Sequence, residues 1–290
     1  MAGEPVVTKW LPSGPGRASV DGGELAFEVL PGSTAPVLAI HGISSQRKLW
    51  NWLHRVSPEL TLIAPDLRGR ADSAEVKGPS SLGRHVADLI ALLDQLEVDR
   101  VHVCGMSMGG FVGVELAYAH PGRVDSLTLV DGGFPMPTPP GLTPEALPAV
   151  FADRLARLDQ RWDSVQQYLD FFVANTTPLL DPADPLLRDY LAHDLRDGLV
   201  QLSASNLLDD AQDVYFGDNH WEQVAVPIRF LHAEWGAGPG RPPGYPTESV
   251  EQFRPATVRT VFVEGVDHAG SIMTEKGARA TAQLLAGAVG

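Results

Sequence analysis

Four short runs dominate what this chain can become: PVLAIHG (Pro36–Gly42), LTLIAPD (Leu60–Asp66), VHVCG (Val101–Gly105) and SLTLVDGG (Ser126–Gly133). Each is almost continuously apolar and stops on glycine or a charged residue. A strand with one wet face alternates. One that does not alternate is buried on both faces, the condition of a parallel sheet whose crossover helices cover it above and below. The segments between them read as those helices. Ser80–Val98 sets Val86, Leu89, Ile90, Leu93 and Leu96 on one face, with Ser80 or Ser81 as the cap. Met108–His120, rich in small residues, is stopped by Pro121-Gly122. Ahead of them, Ala18–Leu30 carries Asp21-Gly22-Gly23 between apolar stretches, a hairpin signal. The expected class is α/β, with a mostly parallel central sheet and helices on both faces.

After Gly133 the rhythm stops. A proline-rich stretch leads into amphipathic segments, AVFADRLARLDQRW, DSVQQYLDFFVAN and DPLLRDYLAHDL, with no strand pattern. Strands resume at PIRFLHAEW (Pro227–Trp235) and TVRTVFVEGVDHA (Thr257–Ala269), and EKGARATAQLLAGAVG closes as a helix. The chain therefore reads as one core, residues 1–134 and 223–290, interrupted by a helical cap at 135–222. With 290 residues, 44% of them hydrophobic, it can bury a sizeable core.

The net charge of −14 argues against nucleic acid or an anionic membrane as partner. One cysteine, Cys104, excludes an internal disulfide and a Cys-ligated zinc cluster. The opening residues lack the basic and apolar regions of a signal peptide, and no apolar window is long enough to span a bilayer. A soluble, cytoplasmic protein with no cofactor and no metal is expected, acting on a small molecule, with a homodimer left open.

The chemistry starts at Gly105-Met106-Ser107-Met108-Gly109, a G-x-S-x-G between a predicted buried strand and a helix. Such a turn forces the serine into a strained conformation and leaves no room for a β-carbon two residues to either side. The hydroxyl then projects above the strand ends, at a helix N-terminus that favours developing negative charge. Three other short motifs stand at strand ends with it: His41-Gly42, Asp66-Leu67-Arg68-Gly69 and Gly265-Val266-Asp267-His268. On these residues nearly the whole chain resembles the α/β-hydrolase superfamily.

That resemblance implies roles. Ser107 would be the nucleophile and His268 the general base, while His41 shapes the oxyanion loop. His54, His85, His193 and His220 are expected in surface or packing roles. The family's usual acid follows the strand after the insertion, in a pattern like G-E-x-D. Here that place reads Ala233-Glu234-Trp235-Gly236, with glycine where the aspartate would stand. A minority of the superfamily, some dehalogenases and zearalenone lactonases among them, carry the acid at the end of strand six, which is Asp131 here. Asp131 is the expected acid, Glu234 the alternative, and Asp267 a further carboxylate nearby. The backbone N–H groups of Ile43 and Met108 would form the oxyanion hole. Ser44 and Ser45 are expected to shape that loop.

The candidate pocket residues are Trp50, Phe134, Met136 and Trp221, while Phe171 and Phe172 read as packing. No basic cluster suited to phosphate or a coenzyme A tail is evident. The reading is thus a serine hydrolase cleaving an ester or lactone of a small, mostly apolar molecule. The alternatives are a thioesterase, a carbon–carbon bond hydrolase, or a non-hydrolytic ligand receptor on the same fold.

Overall fold

The computed structural model describes residues 11–137 and 141–289; of the stretch read above for a leader, residues 1–16, the first ten lie outside them. The strands are β1 (Gly14–Val20), β2 (Gly23–Leu30), β3 (Pro36–Ile40), β4 (Thr61–Pro65), β5 (Val101–Met106), β6 (Val124–Val130), β7 (Leu195–Arg196), β8 (Leu199–Val200), β9 (Ile228–Trp235) and β10 (Thr257–Asp267). The helices are α1 (Trp50–Val56), α2 (Leu82–Gln95), α3 (Met108–Ala119), α4 (Leu147–Val150), α5 (Ala152–Ala156), α6 (Val165–Asn175), α7 (Pro185–Asp194), α8 (Ala204–Phe216), α9 (Thr247–Val250), α10 (Gly270–Met273) and α11 (Glu275–Val289).

Eight strands form one sheet in the order β1-β2-β4-β3-β5-β6-β9-β10. The β1–β2 hairpin and the β2–β4 pair are antiparallel, and every pairing from β4 onward is parallel. The unalternating strands feed two cores. Leu38, Ile40, Val103, Leu127, Leu129 and Phe230 point to the face covered by α2 and α3. Val37, Ala39, Cys104, Val130, Leu231 and Ala233 point to the face covered by α1 and α11. Ser81 caps α2, its side chain accepting from the Arg84 N–H.

The segment between β6 and β9 is helical as expected, with two departures. The run AVFADRLARLDQRW is not one helix but the short α4 and α5, broken at Phe151, whose φ of −100° and ψ of 13° leave the helical region. A two-stranded ribbon, β7–β8, also stands where no strand was expected. Its strands are too short to show alternation, but its turn is Asp197-Gly198, both at positive φ (52° and 75°), the dipeptide that favours a tight hairpin. Two backbone links tie this segment to the loop after β4: Ala71 N–H to Gln201 O at 2.7 Å and Ser203 N–H to Gly69 O at 2.8 Å. No helix among the described residues is long and apolar enough to cross a membrane.

Candidate active site

Every residue singled out for chemistry sits at a carboxyl end of the parallel strands, the edge where open α/β sheets bind ligands. Ser107 follows β5 with φ 56° and ψ −125°, a region that L residues rarely adopt. The strain is held by the sheet itself: Ser107 N–H donates to Val130 O at 2.9 Å, and Gly110 N–H to Ser107 O at 2.9 Å. Glycine is required around it. A β-carbon on Gly105 would lie 2.2 Å from Gly109 O, and one on Gly109 2.0 Å from Ile40 O. Ser107 is half-buried at the head of α3, between wholly buried neighbours.

Asp131 ends β6 at φ 48°, its N–H bound to Leu231 O at 2.7 Å. That backbone twist turns the buried carboxylate across the top of the sheet. Oδ1 accepts from Ala233 N–H at 3.1 Å, and Oδ2 lies 2.6 Å from His268 Nδ1. A carboxylate only accepts, so Nδ1 carries the proton and Nε2 holds the free lone pair. The His268 side chain is 35% exposed, which leaves that nitrogen reachable. Glu234 is elsewhere: its Oε2 accepts from Gly265 N–H at 2.6 Å and braces the end of β10. Asp267 is also engaged otherwise, its Oδ1 accepting from Gly270 N–H at 2.7 Å. The structure thus brings together His268 and Asp131. Among the described residues no hydrogen bond joins the Ser107 hydroxyl to His268, a contact that often tightens only when substrate is bound.

The loop after β3 packs on the elbow, with the position of a Gly42 β-carbon 3.2 Å from Ser107 Cβ. His41 is fully buried behind it, Nδ1 bound to Gly42 O at 2.8 Å and Nε2 accepting from Leu67 N–H at 2.9 Å. Burial pushes its pKa down from 6.5 to about 3, so it is a neutral scaffold and not a base. Among the described residues the N–H groups of Ile43 and Met108 have no hydrogen-bond partner, and Met108 opens a helix, where such N–H groups are free.

Two of the four pocket candidates need correction. Trp50 and Phe134 are both 0% exposed. Trp50 opens α1 and points into the core, and Phe134 stacks on Phe253 with centroids 4.2 Å apart. Neither presents a surface to a ligand. Trp221 is half-buried edge-on to Phe134 and Phe253, and Met136 is half-buried with its sulfur near Gly244. The apolar side chains beside the oxyanion loop are ones the sequence reading missed. Ile43 packs against the cluster of Leu147, Phe151, Leu207 and Ala211, with Leu155, Leu208 and Tyr215 at its margin. The spacing of Leu147, Phe151 and Leu155 was the available signal.

Of the remaining histidines, His85 is buried against Ser80 and Asp210, and His220 stacks on Tyr118 beside Glu115. His54 binds Pro31 O, and His193 binds Asp66. Asp66, Asp72 and His193 lie close enough to suggest a cation site, but Arg47 already bridges the two carboxylates. Asp66, although buried, is held below the usual carboxylate range by His193 and Arg47.

A mostly parallel eight-stranded sheet with a strained serine at the head of the helix after its fifth strand defines the class, an α/β hydrolase. The chain belongs to the alpha/beta hydrolase family, whose model matches residues 37–284. It is 36% identical over 116 residues to an uncharacterized protein of Mycobacterium tuberculosis, covering 40% of this chain. It therefore spans about a third (34%) of the length of the first curated relatives it matches. It is also 27% identical over 215 residues, 71% of this chain and 75% of the relative, to the putative 2-succinyl-6-hydroxy-2,4-cyclohexadiene-1-carboxylate synthase of Bacillus subtilis. Among solved structures, E-2-(acetamidomethylene)succinate hydrolase superposes with a TM-score of 0.74 at 20% identity, over 94% of this chain and 98% of that one.

Proposed function

We propose that the chain is a serine hydrolase that cleaves an ester or lactone of a small, mostly apolar molecule beneath a helical cap formed by residues 135–222. The observation that carries the reading is the 2.6 Å bond from His268 Nδ1 to the buried Asp131 carboxylate, beside a half-buried serine on a strained elbow. Ser107 Oγ attacks the carbonyl carbon while His268 Nε2 takes its proton. Asp131 holds the ring in that tautomer and stabilises the imidazolium. The oxygen that becomes negative is received by the N–H groups of Ile43 and Met108, each such donor contributing about 2.7–4 kcal/mol to the transition state. The C–O bond then breaks, His268 returns its proton to the departing alkoxide, and water releases the acyl group by the same steps in reverse order. The half-buried side chains at the margin of the cluster beside Ile43, namely Leu155, Leu208 and Tyr215, suit an uncharged acyl or alkyl group.

The test is turnover of a panel of p-nitrophenyl esters and lactones. Ser107→Ala is expected to abolish both hydrolysis and covalent labelling by a fluorophosphonate. Asp131→Asn should lower kcat by roughly 10³–10⁴-fold, while Glu234→Gln stays within about 10-fold of wild type because its bond is to the Gly265 N–H. The reverse order of these two variants would move the acid to Glu234. Specific ligand binding without labelling or turnover would mean a receptor.

A further inference from the structure

The oxyanion loop is held from outside by two buried arginines, and nothing in the catalytic scheme uses them. Arg70, in the loop after β4, donates Nε and Nη2 to Ile43 O at 3.1 and 2.9 Å. Its Nη1 binds Arg68 O at 2.7 Å, and Nη2 pairs with Asp210 of α8 at 2.6 Å. Arg157, just past α5, donates Nη2 to Ser44 O at 3.1 Å and Nη1 to the Tyr168 hydroxyl at 3.1 Å. That hydroxyl in turn donates to Asp194, the last residue of α7, at 3.0 Å. Arg70 is 1% and Arg157 7% exposed.

The preceding carbonyl is fixed too, since Gly42 O accepts from His41 Nδ1 at 2.8 Å and from Ser45 N–H at 3.1 Å. Three successive carbonyls, of Gly42, Ile43 and Ser44, are therefore anchored. A peptide unit is planar, so anchoring a carbonyl oxygen also aims the N–H of the next residue. The Gly42 carbonyl aims the Ile43 N–H, and the two following planes set the dihedrals that keep it there. A buried arginine that only balanced charge would need its carboxylate and no more. These two each spend donors on neighbouring carbonyls of one short loop, reaching across 27 and 113 residues of sequence. The planar fork of arginine serves carbonyl and acid partner at once, which a lysine cannot do at the Arg70 site.

We propose that Arg70 and Arg157 are positioning residues for the oxyanion hole, and that Arg157 makes its geometry depend on the docked helical segment. This rests on the hydrolase reading above. Arg157 belongs to that segment, and its helices carry both Asp210, the acid partner of Arg70, and Asp194, which Arg157 reaches through the Tyr168 hydroxyl. Lifting the segment would withdraw the Ser44 clamp outright and separate Arg70 from its counter-charge. The Ile43 donor is then set only while the segment is closed over the strand ends.

The test compares wild type, Arg157→Met, Arg157→Lys and Ser107→Ala as full-length proteins. Removing a clamp displaces a donor rather than deleting it, so Arg157→Met should lower kcat on a p-nitrophenyl ester by roughly 10–100-fold, with KM within about 3-fold. Affinity for a trifluoromethyl ketone, whose serine adduct carries its negative oxygen in the hole, should fall by a similar factor. The pH midpoint of kcat/KM should not move, because His268 and Asp131 are untouched. Added guanidinium should restore part of the rate. Arg157→Lys, which keeps the cation and the stem, covers the case in which the methionine variant fails to fold, and it should fall between wild type and Arg157→Met. Wild-type kcat in either folded variant, or a loss confined to KM, overturns the proposal while Ser107→Ala stays inactive. Full turnover by Ser107→Ala overturns the hydrolase reading and this proposal with it.

Discussion

At the scale of single residues, the candidate site is built on strain. Ser107 and Asp131 are both held at positive φ, and both have their N–H groups fixed by the neighbouring strand. A conformation of this kind costs about 1–3 kcal/mol and persists only because its surroundings over-determine it. Ser107→Gly removes the β-carbon that makes the turn costly, and should raise the urea midpoint by the equivalent of about 1 kcal/mol once the greater entropy of unfolded glycine is subtracted. It should also abolish activity. A lowered midpoint would mean that the elbow stores no strain. The elbow at Ser107 and the strand-end positions of Asp131 and His268 were legible in sequence, because short apolar runs that stop on polar or glycine residues mark where strands end. Trp50 and Phe134 misled because an aromatic residue near a loop serves equally well in core or pocket, and nothing local records depth. Arg70 and Arg157 were not legible at all, since the carbonyls they hold lie far away in the chain.

Among elements, the sheet was the most legible part, because strands covered on both faces lose the alternation that a half-wet strand shows. The helical insertion was legible in type but not in its breaks, because α4 and α5 share one apolar face across Phe151, and periodicity does not register a single non-helical residue. The β7–β8 ribbon announced itself only through Asp197-Gly198. What locks these elements together is polar and buried. Arg68, after β4, makes a two-pronged bond to Asp88 of α2, Nε to Oδ2 at 2.9 Å and Nη2 to Oδ1 at 2.8 Å. Both side chains are almost wholly buried. Asp88→Ala leaves a buried guanidinium without its partner and should cost about 3–5 kcal/mol in urea unfolding, whereas the Arg68→Leu/Asp88→Leu pair should recover most of that loss. A cost below about 1 kcal/mol for Asp88→Ala would show that the pair does not tie the loop to the helix.

For the molecule as a whole, three buried or half-buried histidines contribute to how stability follows pH between about 7 and 5. Burial lowers the pKa values of His41, His102 and His232, His41 furthest, to about 3. The unfolded chain takes up protons below pH 6.5, while the folded chain keeps these rings neutral to lower pH. The stabilisation they contribute is complete above pH 6.5 and is lost as pH falls through each folded value. Between pH 7 and pH 5 the His41 share of that loss is roughly 2 kcal/mol. Urea unfolding at the two pH values should show it in wild type and show it reduced by that amount in His41→Gln. Equal slopes in the two proteins would mean that His41 does not titrate differently on folding.

The position of Asp131 has one more consequence. In the sheet β6 lies directly beside β5, and β9 lies one strand further out. In the proposed mechanism the carboxylate stands on β6, which leaves the stretch from Ala237 to Gly244, between β9 and α9, no part in proton handling. Its neighbours stay tied, Gly236 O to His268 N–H and the Tyr245 hydroxyl to Phe134 O. Between those two moorings the chain is tied chiefly to itself, Gly236 N–H to Arg241 O at 3.2 Å and Arg241 N–H to Gly238 O at 3.1 Å, so residues can be gained, lost or exchanged there as long as that turn is kept. Divergence among close relatives, and a designer's insertions, would be absorbed there first.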